Sequence, residues 1–145
     1  MTPIAGSAPD LLVDTSVAVP LVVVDHAHHA SVADAVGERV LGLAGHAAFE
    51  TFSVLTRLPG AARRSPAVVA ELLAATFPGS RFLSAEAAAD LLPSLAARQI
   101  GGGAVYDALI AAVAAEHRVV LATRDRRALG TYRSLGVDVE LLGDG

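Results

Sequence analysis

Leu11-Leu12-Val13-Asp14-Thr15-Ser16 reads as a short buried strand that stops on an acid and hands over to a helix. Near the other end of the chain, Val119 to Thr123 is the clearest buried strand, and it runs into Arg124-Asp125 in the same manner. Between them lie helical stretches. Thr15 and Ser16 are N-cap candidates for a helix over 17–24, where Pro20 is awkward unless it falls in the first turn. Val32, Val36, Val40 and Leu43 keep a helical spacing over 29–43. A further helix over 47–58 closes at Pro59-Gly60, and Ser65-Pro66 opens another as N-cap and N1 that stops at Pro78-Gly79. Ser84 begins an Ala-rich helix toward Arg98, and Gly101 to Gly103 break the chain. A strongly apolar helix follows over 104–117, with His117 and Arg118 favourably placed at its C-terminal end. A short helix over 126–135 and a strand over 137–142 finish the sequence. Strands separated by helices predict a parallel sheet covered by helices, hence one α/β domain over residues 1–145.

Composition narrows the function. The chain has 145 residues, a size for one compact core. Hydrophobic residues make up 53% and mean hydropathy is +0.52, so some apolar surface is expected to face a partner. The longest apolar stretch, Val17 to Val24, is far short of the roughly 20 residues a membrane helix needs. The N-terminus lacks the basic and apolar regions of a secretory leader, and a cytoplasmic location is the simplest expectation. Cysteine is absent, which removes disulfides, thiolate metal sites and Cys nucleophiles. All 11 basic Lys/Arg residues are Arg. With a net charge of −4, contact with nucleic acid has to come from local Arg clusters.

Ligands of open α/β sheets gather at the carboxyl ends of the strands. If the strands ending at Asp14 and near Asp125 are neighbours, both carboxylates project from one edge. Glu50 and Asp107 fall in the first turns of their helices, whose N-termini point to that edge in a right-handed βαβ arrangement. Taken singly, each acid has an ordinary explanation: a polar strand end for Asp14, helix-dipole partners for Glu50 and Asp107, an N-cap for Asp125. Together they would raise one another's pKa, a penalty that a divalent cation removes. Mg²⁺ prefers oxygen ligands, takes one or two carboxylates directly and keeps several waters; such a site can polarise a phosphate oxygen and activate a water for in-line attack.

With those residues in view, LLVDTS at 11–16, AFETFSVLTRL at 48–58, YDALIAAVAAEH at 106–117 and LATRD at 121–125 resemble the four acidic motifs of PIN domains, most closely those of VapC-type toxins of toxin–antitoxin pairs. The resemblance covers nearly the whole chain, in order. It implies a PIN-like three-layer α/β/α sandwich with about five parallel strands and Mg²⁺- or Mn²⁺-dependent endoribonuclease activity. Carried over, Asp14 and Asp107 would be the principal metal ligands, and Glu50 and Asp125 would complete the acidic pocket through water or a second ion. Thr15, Ser16 and Thr123 would hydrogen-bond the carboxylates or the scissile phosphate. The resemblance also implies a homodimer, a cognate antitoxin and a structured RNA target such as a tRNA or rRNA loop. The segments 17–24 and 29–43 and the helix carrying Leu55 and Leu58 are the expected antitoxin groove.

Other features divide between function and ordinary structure. Arg124, Arg126 and Arg127 flank Asp125 and are the stronger candidates for RNA phosphate contacts; Arg57, Arg63 and Arg64 are the weaker set, and a solvated helix face explains any one of them. Tyr106 reads as a packing residue. The run Asp25-His26-Ala27-His28-His29 invites a metal site, against which a surface loop at a helix start is the simpler account. Receiver and aspartyl phosphatase chemistry needs a lysine, and a P-loop needs GK[ST]; neither is present. A metal-independent ribonuclease using His46 or His117, a non-catalytic acidic edge that docks a basic partner, and a PIN nuclease of RNA maturation or decay remain as alternatives.

Overall fold

The computed structural model describes residues 7–143. The reading of the N-terminus as lacking a leader rests largely on residues 1–6, which lie outside the described residues. Among the described residues four parallel strands form one sheet in the order β2-β1-β3-β4, with β1 at Leu11–Val13, β2 at Leu41–Leu43, β3 at Leu121–Thr123 and β4 at Val139–Leu141. Among the same residues seven α-helices cover it: α1 Thr15–Val22, α2 His29–Val36, α3 His46–Thr56, α4 Pro66–Thr76, α5 Ala85–Ala97, α6 Ala104–His117 and α7 Leu129–Ser134.

The three layers follow from alternation along the strands. In β1, Leu11 and Val13 enter a core shared with α1, α2, α3 and α4, through residues such as Val17, Val32, Leu55 and Val69. Leu12 points to the other face and joins Ile110, Val113 and Tyr132 of α6 and α7. All three β1 side chains are fully buried, as expected for a central strand of a parallel sheet. A smaller cluster of Leu91, Leu95 and Ala108 seats α5 on α6.

The sheet has four strands where about five were expected. In the fifth position, the segment after Pro78 makes a single parallel bridge, Ala44 to Arg81. Gly79 N–H donates to Leu41 O at 2.9 Å and Arg81 N–H to Leu43 O at 3.1 Å before the chain leaves for α5. This approach is so close that a Cβ at Gly42 would lie 2.1 Å from Gly79 O. β2 itself falls inside the stretch 29–43 read as one helix. Gly37, at φ 58°, ends α2 in the left-handed region that favours glycine, and the chain re-enters the sheet.

Other helix ends differ by a residue or two. α1 starts earlier than expected, and its N-cap is Asp14, which accepts from Ser16 N–H; Pro20 therefore lies inside the helix, beyond its first turn. α3 also begins one residue early, which moves Glu50 from the first turn to the second. Ser65 and Ser84 cap α4 and α5 as expected. Among the described residues no helix is long and apolar enough to cross a membrane.

Candidate active site

The strand order carries the chain from β1 outward to β2 and then, past β1 again, to β3. The switch point of this sheet is therefore the crevice beyond the carboxyl ends of β1 and β3, the place where open α/β sheets bind ligands. Val13 is paired with Ala122, so Asp14 and Thr123, the next residue of each strand, emerge side by side. α3 and α6 are drawn together by Gly45, where a Cβ would lie 2.6 Å from Val113 Cγ2. That packing brings Glu50 and Asp107 to the same crevice.

The four acids line one open cleft of about 110 Å³, together with Thr15, Ser16, Ile110, Arg127 and Tyr132. Asp14 forms its floor and is 3% exposed. Its Oδ1 accepts from Ser16 N–H at 3.1 Å and Ser16 Oγ at 2.6 Å. Its Oδ2 accepts from Thr123 Oγ1 at 2.5 Å and Tyr132 Oη at 2.8 Å. Burial pushes the Asp14 carboxyl above its ordinary pKa, and the Ser16, Thr123 and Tyr132 donors oppose that push without cancelling it. Burial drives the Tyr132 phenol pKa upward, and the adjacent Asp14 carboxylate adds to the push, so the phenol stays a donor.

Asp107 is also raised, first by burial, with Asp125, Glu50 and Asp14 adding like-charge repulsion and Arg127 opposing it. Glu50 receives a hydrogen bond from Thr15 Oγ1 at 3.3 Å. Asp125 caps the 3₁₀ turn 126–128 through Arg127 N–H and pairs with the Arg127 guanidinium, both at 3.0 Å. Asp125 therefore both caps this turn and lines the cleft. Ser16 Oγ accepts from Arg124 N–H at 2.8 Å and Thr123 Oγ1 from Asp125 N–H at 3.0 Å, which locks the β3 turn against α1.

These residues suit a hard divalent cation. Among the described residues no three His, Cys, Asp or Glu side chains stand as a preassembled coordination shell. An ion that takes one or two carboxylates and keeps its waters needs none. The oxygen-only donor set and the like-charge repulsion on Asp107 favour such an ion.

The remaining expectations sort themselves. Of the arginines near Asp125, Arg127 is tied to it, while Arg124 turns toward a neighbouring hollow lined by His28 and Ser31. Arg63 Nε donates to Leu58 O and Arg64 Nε is buried without a hydrogen-bond partner among the described residues, while Arg57 is the member of that set that lines a pocket adjoining the cleft. In the histidine run, His28 N–H donates to His26 Nδ1 and His29 Nδ1 meets Pro20 O, as in a surface turn that starts a helix. His117 faces Phe82 O from the far end of α6, about 15 Å of helix rise from Asp107, and does not line the cleft. Tyr106 is not a packing residue: it is 52% exposed and stacks on His46, ring centroids 5.0 Å apart. In the segments expected to form the antitoxin groove, Val17, Val22, Val32, Val36 and Leu55 are interior to one core and Leu58 packs on it, so a partner would meet only the other faces of those helices. Sequence reasoning missed Tyr132, whose spacing from Ala128 and Leu135 marks only a buried helix face.

Comparison with known proteins agrees with this geometry. Residues 11–133 match the PIN domain. Ribonuclease VapC27 of Mycobacterium tuberculosis is 51% identical over 131 residues, covering 90% of this chain and 96% of the relative. Ribonuclease VapC40 of the same organism is 41% identical over 131 residues, covering 89% and 96%. The crystal structure of M. tuberculosis VapC20, described as a sarcin–ricin loop cleaving toxin, superposes with a TM-score of 0.63 at 19% identity, over 83% of this chain and 93% of that one, and so shares the fold. With an acidic cleft at its switch point and relatives at this identity over nearly their full length, the chain belongs to the PIN-domain family, among the VapC ribonucleases.

Proposed function

We propose that the cleft is the hydrolytic centre of an Mg²⁺-dependent endoribonuclease toxin, with Mn²⁺ able to substitute, which cuts a structured RNA such as a tRNA or rRNA loop. PIN nucleases are metal-dependent. The observation that carries the reading is Asp107: a part-buried carboxylate held beside three others, raised by burial and by their charge. A fold gains nothing from such an arrangement unless a cation enters it.

Asp14 and Asp107 would hold the ion directly, with Glu50 and Asp125 reaching it through water. The ion would supply charge neutralisation at the scissile phosphate and an ionised water at neutral pH. The protein's share is positioning. Ser16, Thr123 and Tyr132 fix the Asp14 carboxylate, Thr15 orients Glu50, and Arg124 and Arg126 offer guanidinium groups to the RNA backbone. Hydrolysis by water leaves 5′-phosphate and 3′-hydroxyl ends. Kinship with the VapC ribonucleases supports a cognate antitoxin as inhibitor, and the exposed Val24, Val68 and Leu92 leave apolar surface for it and for a homodimer. A cytoplasmic site of action accords with this reading.

The test is incubation of partner-free protein with total bacterial RNA in Mg²⁺, Mn²⁺ or EDTA, alongside Asp14→Ala and Asp107→Ala, with the ends mapped by sequencing. Discrete cuts that need the metal and both aspartates are expected, each substitution costing more than the roughly 10–100-fold typical of residues one shell out from a metal. Folded protein that cuts nothing in either metal, or that leaves 2′,3′-cyclic phosphates in EDTA, overturns the proposal.

A further inference from the structure

The chain has four phenylalanines and two tyrosines, and three of these, Phe49, Phe82 and Tyr106, are exposed. Phe49 and the His46 ring on which Tyr106 stacks line a pocket that adjoins the acidic cleft, and Phe82 packs on Phe49. Phe49 immediately precedes Glu50 and Tyr106 immediately precedes Asp107. Phe82 tilts against Phe49 with ring centroids 6.0 Å apart, and Tyr106 lies nearly parallel to His46. Phe49 is 67% exposed, an unfavourable place for a large ring with no ligand.

Helical spacing explains what these rings build. His46, Phe49, Glu50, Ser53, Val54 and Arg57 recur at steps of three and one along α3, so they form one face. Ala47, Thr51 and Leu55 occupy the opposite, buried face. With Thr15 the first set lines a pocket of about 370 Å³ that shares Thr15 and Glu50 with the acidic cleft. Its volume falls in the range of small-ligand pockets.

We propose that this pocket is a nucleobase subsite, which takes one unpaired base of the RNA strand beside the scissile phosphate, stacked on His46 and Phe49. The assignment rests on the nuclease reading above and adds the place where one unpaired base of such a loop would sit. A base has the two properties that the walls demand, an aromatic face for the rings and polar edges for the Ser53 and Thr15 hydroxyls. Tyr106 contacts the His46 ring and Phe82 the Phe49 ring without lining the pocket themselves, which supports the platform. Arg57, two turns beyond Glu50, closes the pocket with a guanidinium that has no ion pair among the described residues and that suits a flanking phosphate. A purely apolar partner helix would have to cover Glu50 and Arg57 without answering either charge.

The experiment uses the full chain carrying Asp107→Asn, so that binding is read without cleavage. The probe is a short unpaired oligoriboadenylate with one 2-aminopurine, whose fluorescence is quenched on stacking. Quenching is expected with the parent and not with the same oligonucleotide in a duplex. Adding Phe49→Leu, which keeps apolar bulk but no ring, or His46→Ala should abolish the quench and weaken binding by roughly 5- to 150-fold. Unchanged quench and affinity in both variants overturn the subsite. So does a Phe49→Leu effect confined to the sedimentation coefficient, which would mark a face between copies of the chain. Wild-type protein that cuts RNA normally while the base stays unquenched sinks the subsite alone. Wild-type protein that cuts nothing sinks the nuclease reading, whatever the fluorescence shows.

Discussion

Asp14 and Asp107 at the carboxyl edge of the sheet, and Glu140 in β4, are carboxylates treated in opposite ways by one fold. Glu140 is gripped by both terminal nitrogens of Arg39, at 2.9 and 2.8 Å, and the pair holds its carboxyl below the ordinary range. Arg39 in turn donates to Val36 O and Ala35 O, so the clamp also finishes the C-terminus of α2. Asp14 lies above the ordinary range because burial outweighs its donors, and Asp107 because burial and three neighbouring carboxylates outweigh Arg127. Where a carboxylate serves only the architecture, the chain supplies a cation. At Asp14, where the proposed function would draw the cation from solution, it supplies neutral donors that fix the oxygens and, among the described residues, no ion pair. A strained charge state in a crevice is therefore a signature of function, and a satisfied one is not.

The largest effect on this contrast should come from Tyr132→Phe. Phenylalanine fills the same buried space beside Leu12 and Val137, but removes the 2.8 Å bond to Asp14 Oδ2. The carboxylate then has Thr123 alone on that oxygen and loses part of what fixes its rotamer. The Mg²⁺ concentration that half-maximally raises Tm should increase about 10–100-fold, the usual cost of a lost partner one shell out from a metal, and cleavage should fall in proportion. A normal Mg²⁺ response would mean that the hydroxyl serves packing alone, and that Asp14 needs no such support.

The parts of this contrast differ in how far the sequence discloses them. Asp14, Glu50, Asp107 and Asp125 were legible because strand ends and helix starts fall at one edge of any parallel sheet, so local pattern alone brings distant residues together. The sandwich was legible for the same reason. β2 was not, since Val36, Val40 and Leu43 keep a helical period across Gly37 and hide the break that its positive φ makes. The fifth strand shrank to the Ala44–Arg81 bridge through a backbone approach at Gly42 and Gly79 that no side-chain period encodes. Tyr132 and Arg39 meet their carboxylates 118 and 101 residues away, and such pairings are settled by tertiary packing. The three exposed aromatics escaped for another reason: a ring beside a helix face reads as core until the sheet shows which side is covered.

A smaller effect separates the two kinds of carboxylate through pH. For Asp107 the folded pKa is raised, so the native state binds its proton more tightly than the unfolded chain does. Stability from this group is present below the unfolded value, is lost as pH climbs through the folded one, and stays lost at neutral pH. Asp107→Asn removes that loss. In EDTA it should raise Tm by a few degrees at pH 7, a gain of about 1 kcal/mol or less for a half-exposed group, with no gain near pH 3. Mg²⁺ should then raise the Tm of the wild type more than that of the variant. Thermal melts across pH, with and without Mg²⁺, decide it; a variant less stable than wild type at pH 7 in EDTA would show that Asp107 is held by contacts and not against repulsion.

Glu140→Gln probes the other side of the contrast and should do least. Its folded pKa is depressed, so the contribution is present above the unfolded value and fades as pH falls through the folded one, the reverse of Asp107. Glutamine keeps the shape and one acceptor for Arg39, and both side chains are about a third exposed, at 35% and 36%. Screening and side-chain entropy limit such a pair to a few tenths of a kcal/mol. Tm at pH 7 should drop by a degree or two, the difference should shrink in high salt, and cleavage should not change. Urea melts at low and high ionic strength, run beside the cleavage assay, give the answer. Loss of cleavage with unchanged stability would place the clamp in communication with the cleft through β4 and β3, and the division between architectural and catalytic carboxylates would have to be redrawn.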